Sequence, residues 1–247
     1  MPRAADTPAG LLAGLSSSDP TRPRLTWYDE APGPTQGERI ELSGRVLTNW
    51  VAKAANLLRD ELDIGPGSLV AVDLPGHWRT AYWLLASWSV GARVETGLCQ
   101  SRPDAVVTDD PEAWPGSPVV AVSLPALVRG WAGPPLPSGA IDEARDLATY
   151  PDAFVVADEP APDAAALTTR SGTWTFADLM RQARAAGLEP HARVLSTAGP
   201  EDAVTSWLAA WAVDGSLVLV RQAPAGADDA RLRQIAETER VTGYQRL

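Results

Sequence analysis

The sequence predicts an α/β protein of two related subdomains, each a mainly parallel sheet flanked by helices. Three observations carry that expectation. A long amphipathic helical pattern leads into short apolar runs that alternate with further helical ones. A second stretch of the same kind follows later in the chain, and the two overlay without a gap. Strands separated by helices of this length cannot pair as hairpins, so they imply crossover connections and a parallel sheet.

Residues 1–24 mix Pro, Ser, Asp and Thr around one apolar patch at 11–15, and read as a flexible N-terminal segment in which the patch forms a short docking helix. Residues 25–29 and 38–42, with a break at 31–37, read as a hairpin, and Ser43 as the N-cap of the next helix. In that helix Leu47, Trp50, Val51, Ala54, Leu58 and Leu62 recur at helical spacing, and Gly65-Pro66-Gly67 ends it. Lys53 falls off the stripe and is expected to be a solvated charge. Strand, helix and strand follow at 68–74, 78–90 and 91–96.

Laying 65–96 on 189–220 at a constant offset matches Pro66 with Pro190, Val70 with Val194, Trp83 with Trp207, Leu84 with Leu208, Ala86 with Ala210, Gly91 with Gly215 and Val94 with Val218. This is the pattern of an internal repeat. A shorter amphipathic helix near 176–186 precedes the second copy. Between the copies, 105–108 and 119–122 read as further buried strands. The Pro- and Gly-rich stretch 131–139 is the expected crossing loop between a first subdomain, 25–130, and a second, 140–247. A polar amphipathic helix at 228–239 and the start of a strand at 241–244 complete the chain.

Composition narrows the function. The chain has 247 residues, of which 45% are hydrophobic and 21% charged, the balance of an ordinary globular protein with a real core. No run suits a membrane span, and residues 1–10 carry no apolar leader, so a cytoplasmic protein without a membrane partner is expected. The formal net charge of -10, with no basic patch, argues against nucleic acid. Cys99 has no cysteine partner, and with His77 and His191 it makes no spaced ligand set for zinc. Of 21 basic residues only Lys53 is lysine, which excludes mechanisms that need two.

Several segments, in order, resemble the N-terminal domain of the AMP-binding superfamily of acyl-CoA synthetases, luciferases and peptide-synthetase adenylation domains. Leu42-Ser43 at the head of the long helix resembles the first core motif of those enzymes. Residues 65–72 resemble the helix-to-strand turn, 84–92 the second core motif, and 193–220 a later strand-helix-strand. The chain also resembles a short actinobacterial family distantly related to these enzymes, whose members are about its size. The resemblance implies a truncated homologue with a crevice for nucleotide and carboxylate, in a superfamily that activates acids with ATP and Mg²⁺.

The departures fall where the chemistry would occur. The superfamily's phosphate loop is Ser/Thr/Gly-rich with a following lysine, because backbone N–H groups and a mobile cation must cradle phosphates. The corresponding segment here is Thr168, Thr169, Arg170, Ser171, Gly172 and Thr173, with one glycine and no lysine. Arg170 supplies charge, but its rigid fork is a poor substitute for an ammonium. The adenine motif, the ribose-binding carboxylate and the lysine-bearing C-terminal domain would lie beyond Leu247.

Thr168, Thr169, Ser171 and Thr173 read either as a weak anion site or as a plain turn about Ser171-Gly172. Asp109-Asp110-Pro111-Glu112 reads as a divalent-ion site or as a solvated turn. His77 stands at a strand-to-helix junction, where open α/β sheets bind ligands or where a helix simply starts. His191 has no nucleophile nearby in the sequence, and most of the ten tryptophans are expected in the core. The expected function is a non-catalytic binding or regulatory module. The alternatives are a minimal ligase completed by another polypeptide and a structural partner with a closed crevice. No cofactor is expected, with weak ATP, AMP or acyl-adenylate binding left open, and the partner is either another protein or a small acyl or nucleotide ligand.

Overall fold

The computed structural model describes residues 7–97, 101–223 and 229–245. The described chain begins with helix α1 (Pro8–Ser18), whose first turn is closed by Thr7 Oγ1 accepting the Gly10 N–H at 3.1 Å. Leu11, Leu12 and Leu15 are buried, so this stretch is packed structure and the expectation of a flexible segment through residue 24 is corrected. Strands β1 (Pro23–Asp29) and β2 (Arg39–Ser43) form the expected antiparallel hairpin. Ser43 Oγ accepts from Val46 N at 3.3 Å, capping α2 (Gly44–Leu62).

Next come β3 (Leu69–Asp73), α3 (Trp78–Ser89), β4 (Arg93–Thr96), β5 (Ala105–Thr108), β6 (Val119–Ala121) and β7 (Ile141–Asp142). The single-turn α4 (Glu143–Asp146) precedes a second hairpin, β8 (Ala165–Thr169) and β9 (Gly172–Thr175), and then α5 (Phe176–Ala185). After β10 (Arg193–Ser196), a 3₁₀ turn at Pro200–Asp202 and a π-helical turn at Val204–Leu208 lead into α6 (Ala209–Ala212). The described chain ends with β11 (Ser216–Arg221), α7 (Asp229–Thr238) and β12 (Gly243–Gln245).

These strands form two sheets, in the orders β12-β10-β11-β1-β2 and β7-β6-β5-β3-β4-β8-β9. Only β2 and β9 run antiparallel to their neighbours. Helices cover buried strands such as β11 and β5, which read as nearly continuous apolar runs because both of their faces are covered.

Two compact units result, and neither follows the expected division. One comprises Met1–Leu47, Pro75–Ala81 and Leu179–Leu247, and the other Thr48–Leu74 and Tyr82–Asp178. The reason is long-range pairing. β1 lies in register with β11 from Leu25↔Leu217 to Asp29↔Arg221, and β4 pairs β8 at Val94↔Leu167 and Glu95↔Thr168. The stretch 131–139 joins β6 to its sheet neighbour β7 and therefore lies inside one unit.

In the first unit, α7 sets Leu232, Ile235 and Ala236 against Tyr28, Leu195, Val218 and Val220. Glu239, just past α7, is held by Arg39 Nη2 at 2.9 Å, by Tyr28 OH at 2.5 Å and by Arg193. In the second unit Ala71, Val106, Val119 and Ala121 form a core cluster covered by Trp114, Trp131 and Leu136. No helix among the described residues is long and apolar enough to cross a membrane.

Candidate ligand cleft

In the first unit β10 connects to β11 on one side, whereas β11 connects through α7 to β12 on the far side of β10. Right-handed crossovers in opposite directions leave the sheet toward opposite faces, so the loops after β10 and β11 diverge and open a crevice at the strands' carboxyl ends. A cleft of about 380 Å³ lies there. Its walls are Thr197, Ala198 and Gly199 after β10, Val220 to Ala223 at the end of β11, and Pro75-Gly76.

The cleft is firmly built. Trp27 Nε1 donates to the Gly76 carbonyl at 3.0 Å, and the Trp27 ring stands edge-on to His77 with centroids 4.2 Å apart. His77 is fully buried, and its Nδ1 accepts the Arg79 N–H at 3.1 Å, capping α3. The loop after β10 is tightened by Ala198 N donating to Ser196 Oγ at 3.1 Å. On the opposite wall, Arg221 Nη1 reaches the fully buried Asp29 at 3.0 Å. Asp29 also accepts from the Thr35 hydroxyl at 2.5 Å and from Ala31 N at 2.9 Å. Beside Gly199, burial and the neighbouring Glu201 push the Asp202 carboxyl above its ordinary range.

The segment resembling a phosphate loop lies in the other unit and is a hairpin. Thr169 pairs with Gly172 across a two-residue turn of Arg170 and Ser171. Thr168 Oγ1 and Thr173 Oγ1 share a hydrogen bond at 3.2 Å, and Thr169 Oγ1 accepts from Ser171 N at 3.1 Å. Their polar groups are spent on the turn itself. Among the described residues Arg170 makes no ion pair, and no group of three or more His, Cys, Asp or Glu could hold a metal. Thr108 Oγ1 caps the turn at Asp110, and Pro111–Ala113 forms a 3₁₀ turn. Cys99 lies outside the described residues.

The expectation for Lys53 is overturned. Its ammonium donates to the carbonyls of Ala148 at 3.0 Å and Tyr150 at 2.5 Å, and meets Asp152 at 2.7 Å, with the side chain only 16% exposed. Residues 148–152 have no strand partners, and two of the ammonium's three donors satisfy backbone carbonyls there while the third meets the Asp152 carboxylate. Asn56 continues the strap, donating to the carbonyls of Pro151 and Ala153. His191 is exposed and reaches Asp214 Oδ2 at 3.1 Å. Trp27, Trp78, Trp83, Trp88, Trp207 and Trp211 are all buried.

Sequence reading did not find the cleft. Gly76, Ala198, Gly199 and Ala223 bring backbone and no reactive side chain, and Arg221 looks like any strand-end charge. The available signal was topological, in the loops that follow two adjacent parallel strands.

No protein-family model matches the chain. It is 39% identical over 246 residues to a TIGR03089 family protein of Mycobacterium tuberculosis, covering 94% of this chain and 95% of that one. Among solved structures it is similar to an acyl-CoA synthetase of Brucella canis, with a TM-score of 0.71 and 18% identity over 91% of this chain. It is also similar to an acetoacetyl-CoA synthetase of Streptomyces lividans, with a TM-score of 0.76 and 20% identity over 96% of this chain. The chain spans 44% and 42% of those two proteins, less than half of each. At these identities the likeness is one of fold.

Proposed function

Because the chain belongs to the TIGR03089 family and has an acyl-CoA synthetase-like fold, we propose that it is a non-catalytic module that binds a small molecule in the β10–β11 cleft. The observation that carries this reading is the cleft itself, a concave site at a topological switch point with a fixed arginine on one wall. The hairpin at 168–173 argues against acid activation. Its turn is too short to wrap a triphosphate, three of its hydroxyls are engaged within the hairpin, and its only cation is Arg170. Without a phosphate cradle, an acyl-adenylate has no means of forming here.

The same proposal takes β3-α3-β4 and β10-α6-β11 as copies of one duplicated unit, and gives the protein a cytoplasmic setting with neither nucleic acid nor membrane as partner. Calorimetry with ATP, AMP and acyl-adenylate analogues, run beside ATP–pyrophosphate exchange, tests it. Binding of a small ligand without exchange is the expected result. Carboxylate-dependent exchange that follows the protein through purification would establish an enzyme instead, and a cleft indifferent to every ligand would favour a structural role.

A further inference from the structure

The polar groups around the cleft are unequally matched. The Gly76 carbonyl already accepts the Trp27 indole N–H, and the Ala198 amide is donated to Ser196. Arg221 donates through Nη1 alone among the described residues, so Nε and Nη2 retain their hydrogens for another acceptor. The Gly199 amide has no acceptor among the described residues, and Thr197 and Gln222 add a hydroxyl and a side-chain amide to the same walls. A concave site left with a surplus of donors is complementary to an oxygen anion.

The charge of that anion is limited. Asp29 already offsets Arg221, and Glu201 Oε2 stands 3.0 Å from where a side chain at Gly199 would begin. A second negative charge on the ligand would meet both carboxylates. We infer that the cleft takes a compact ligand ending in a singly charged oxyanion, gripped by the free edge of Arg221 and the Gly199 amide. This rests on the reading of the cleft as a binding site.

The Trp27 indole N–H reports on the cleft, because its acceptor is a wall carbonyl. Titrating the ¹⁵N-labelled full chain with formate, nitrate, sulfate and neutral acetamide should shift that signal and the Gly199 amide saturably with formate and nitrate. Sulfate should bind about tenfold more weakly, and acetamide should leave both signals in place. Arg221→Gln should weaken formate about tenfold or more. Arg221→Lys keeps a cation against Asp29, and so the fold, while losing the fork, and should fall between. Acetamide saturating as formate does would overturn the anion and leave the cleft reading standing. Sulfate equal to formate would overturn the single charge. Shifts confined to other residues, shifts unchanged by both Arg221 variants, or no shift from any probe would overturn cleft and anion together.

Discussion

The segments β3-α3-β4 and β10-α6-β11 share their connectivity but close their helices on different residues. In the first, Gly91 N bonds to Trp88 O and Ala92 N to Ser87 O. In the second, Asp214 N bonds to Trp211 O and Gly215 N to Ala210 O. Both are Schellman closures, in which one left-handed residue ends the helix. That residue is Gly91, at φ 80°, in one and Asp214, at φ 54°, in the other. The glycines that align in sequence thus play different parts, and the strands that follow are one residue out of step. Val70 pairs with Val94, but Val194 with Leu217. Gly215 is required for another reason, since a Cβ there would stand 2.2 Å from Ala192 O and 2.5 Å from Ala210 O. Identity at an aligned position does not mean identity of role.

The largest test of this contrast is Gly215→Ala. Backbone oxygens on both sides cannot give way, so a loss of about 3 kcal/mol is expected in urea unfolding. Ala92→Gly, at the equivalent place in the other closure, should cost about 1 kcal/mol. Equal losses would show the two closures to be alike after all. The helices leading into the segments differ too, since α2 is strapped by Lys53 and the aligned residue in α5 is Ala177. Lys53→Met should cost about 2 kcal/mol by freeing two carbonyls, and an unchanged melt would return Lys53 to the solvent. Gly91→Ala should cost about 1–2 kcal/mol, because φ 80° strains any side chain and Pro66 Cγ lies 3.0 Å from the new methyl group.

Acid should separate the closures. Burial pushes Asp214 upward, but the Ser18 hydroxyl and the buried Arg24 guanidinium outweigh it and hold the carboxyl below its ordinary 3.8. A depressed pKa contributes stability that is complete above the unfolded value and lost as pH falls through the folded one. The β10-α6-β11 closure should therefore weaken as pH drops below about 4, while Gly91 has nothing to titrate. Asp214→Asn keeps the left-handed turn and should lower the melting temperature at pH 7 slightly while flattening its decline in acid. An unaltered acid profile would place the sensitivity elsewhere, with Glu239 the next group to test. The smallest effect belongs to Arg170→Ala on the hairpin turn, within about 0.5 kcal/mol.

Much of the fold is legible in the sequence because apolar period and turn chemistry are local. The hairpin of β1 and β2, the cap at Ser43 and the alternation of strands with helices all follow from neighbouring residues. The pairing of strands does not. Nothing near Leu25 specifies Leu217, and nothing near Val94 specifies Leu167, so the two sheets interleave where the sequence suggested consecutive halves. Lys53 misled for the same reason, since its acceptors lie about a hundred residues downstream and are backbone atoms that no side-chain pattern marks. The hairpin at 168–173 could be read as a turn from Ser171-Gly172. The cleft could not, because its walls are small residues and a salt bridge between strand ends far apart in the chain.

The pairing of β1 with β11 also sets an order of events as the chain is made. Residues 48–178 contain every strand of the seven-stranded sheet, so that sheet can close before residues 179–247 are synthesised. The hairpin of β1 and β2 emerges first but has no sheet to join until residues 216–221 are available. Until then its apolar strand, Leu25-Thr26-Trp27-Tyr28, has one edge unpaired and is exposed to wrong partners. Strand β1 thus leaves the ribosome before every strand of the seven-stranded sheet and finds its place after them.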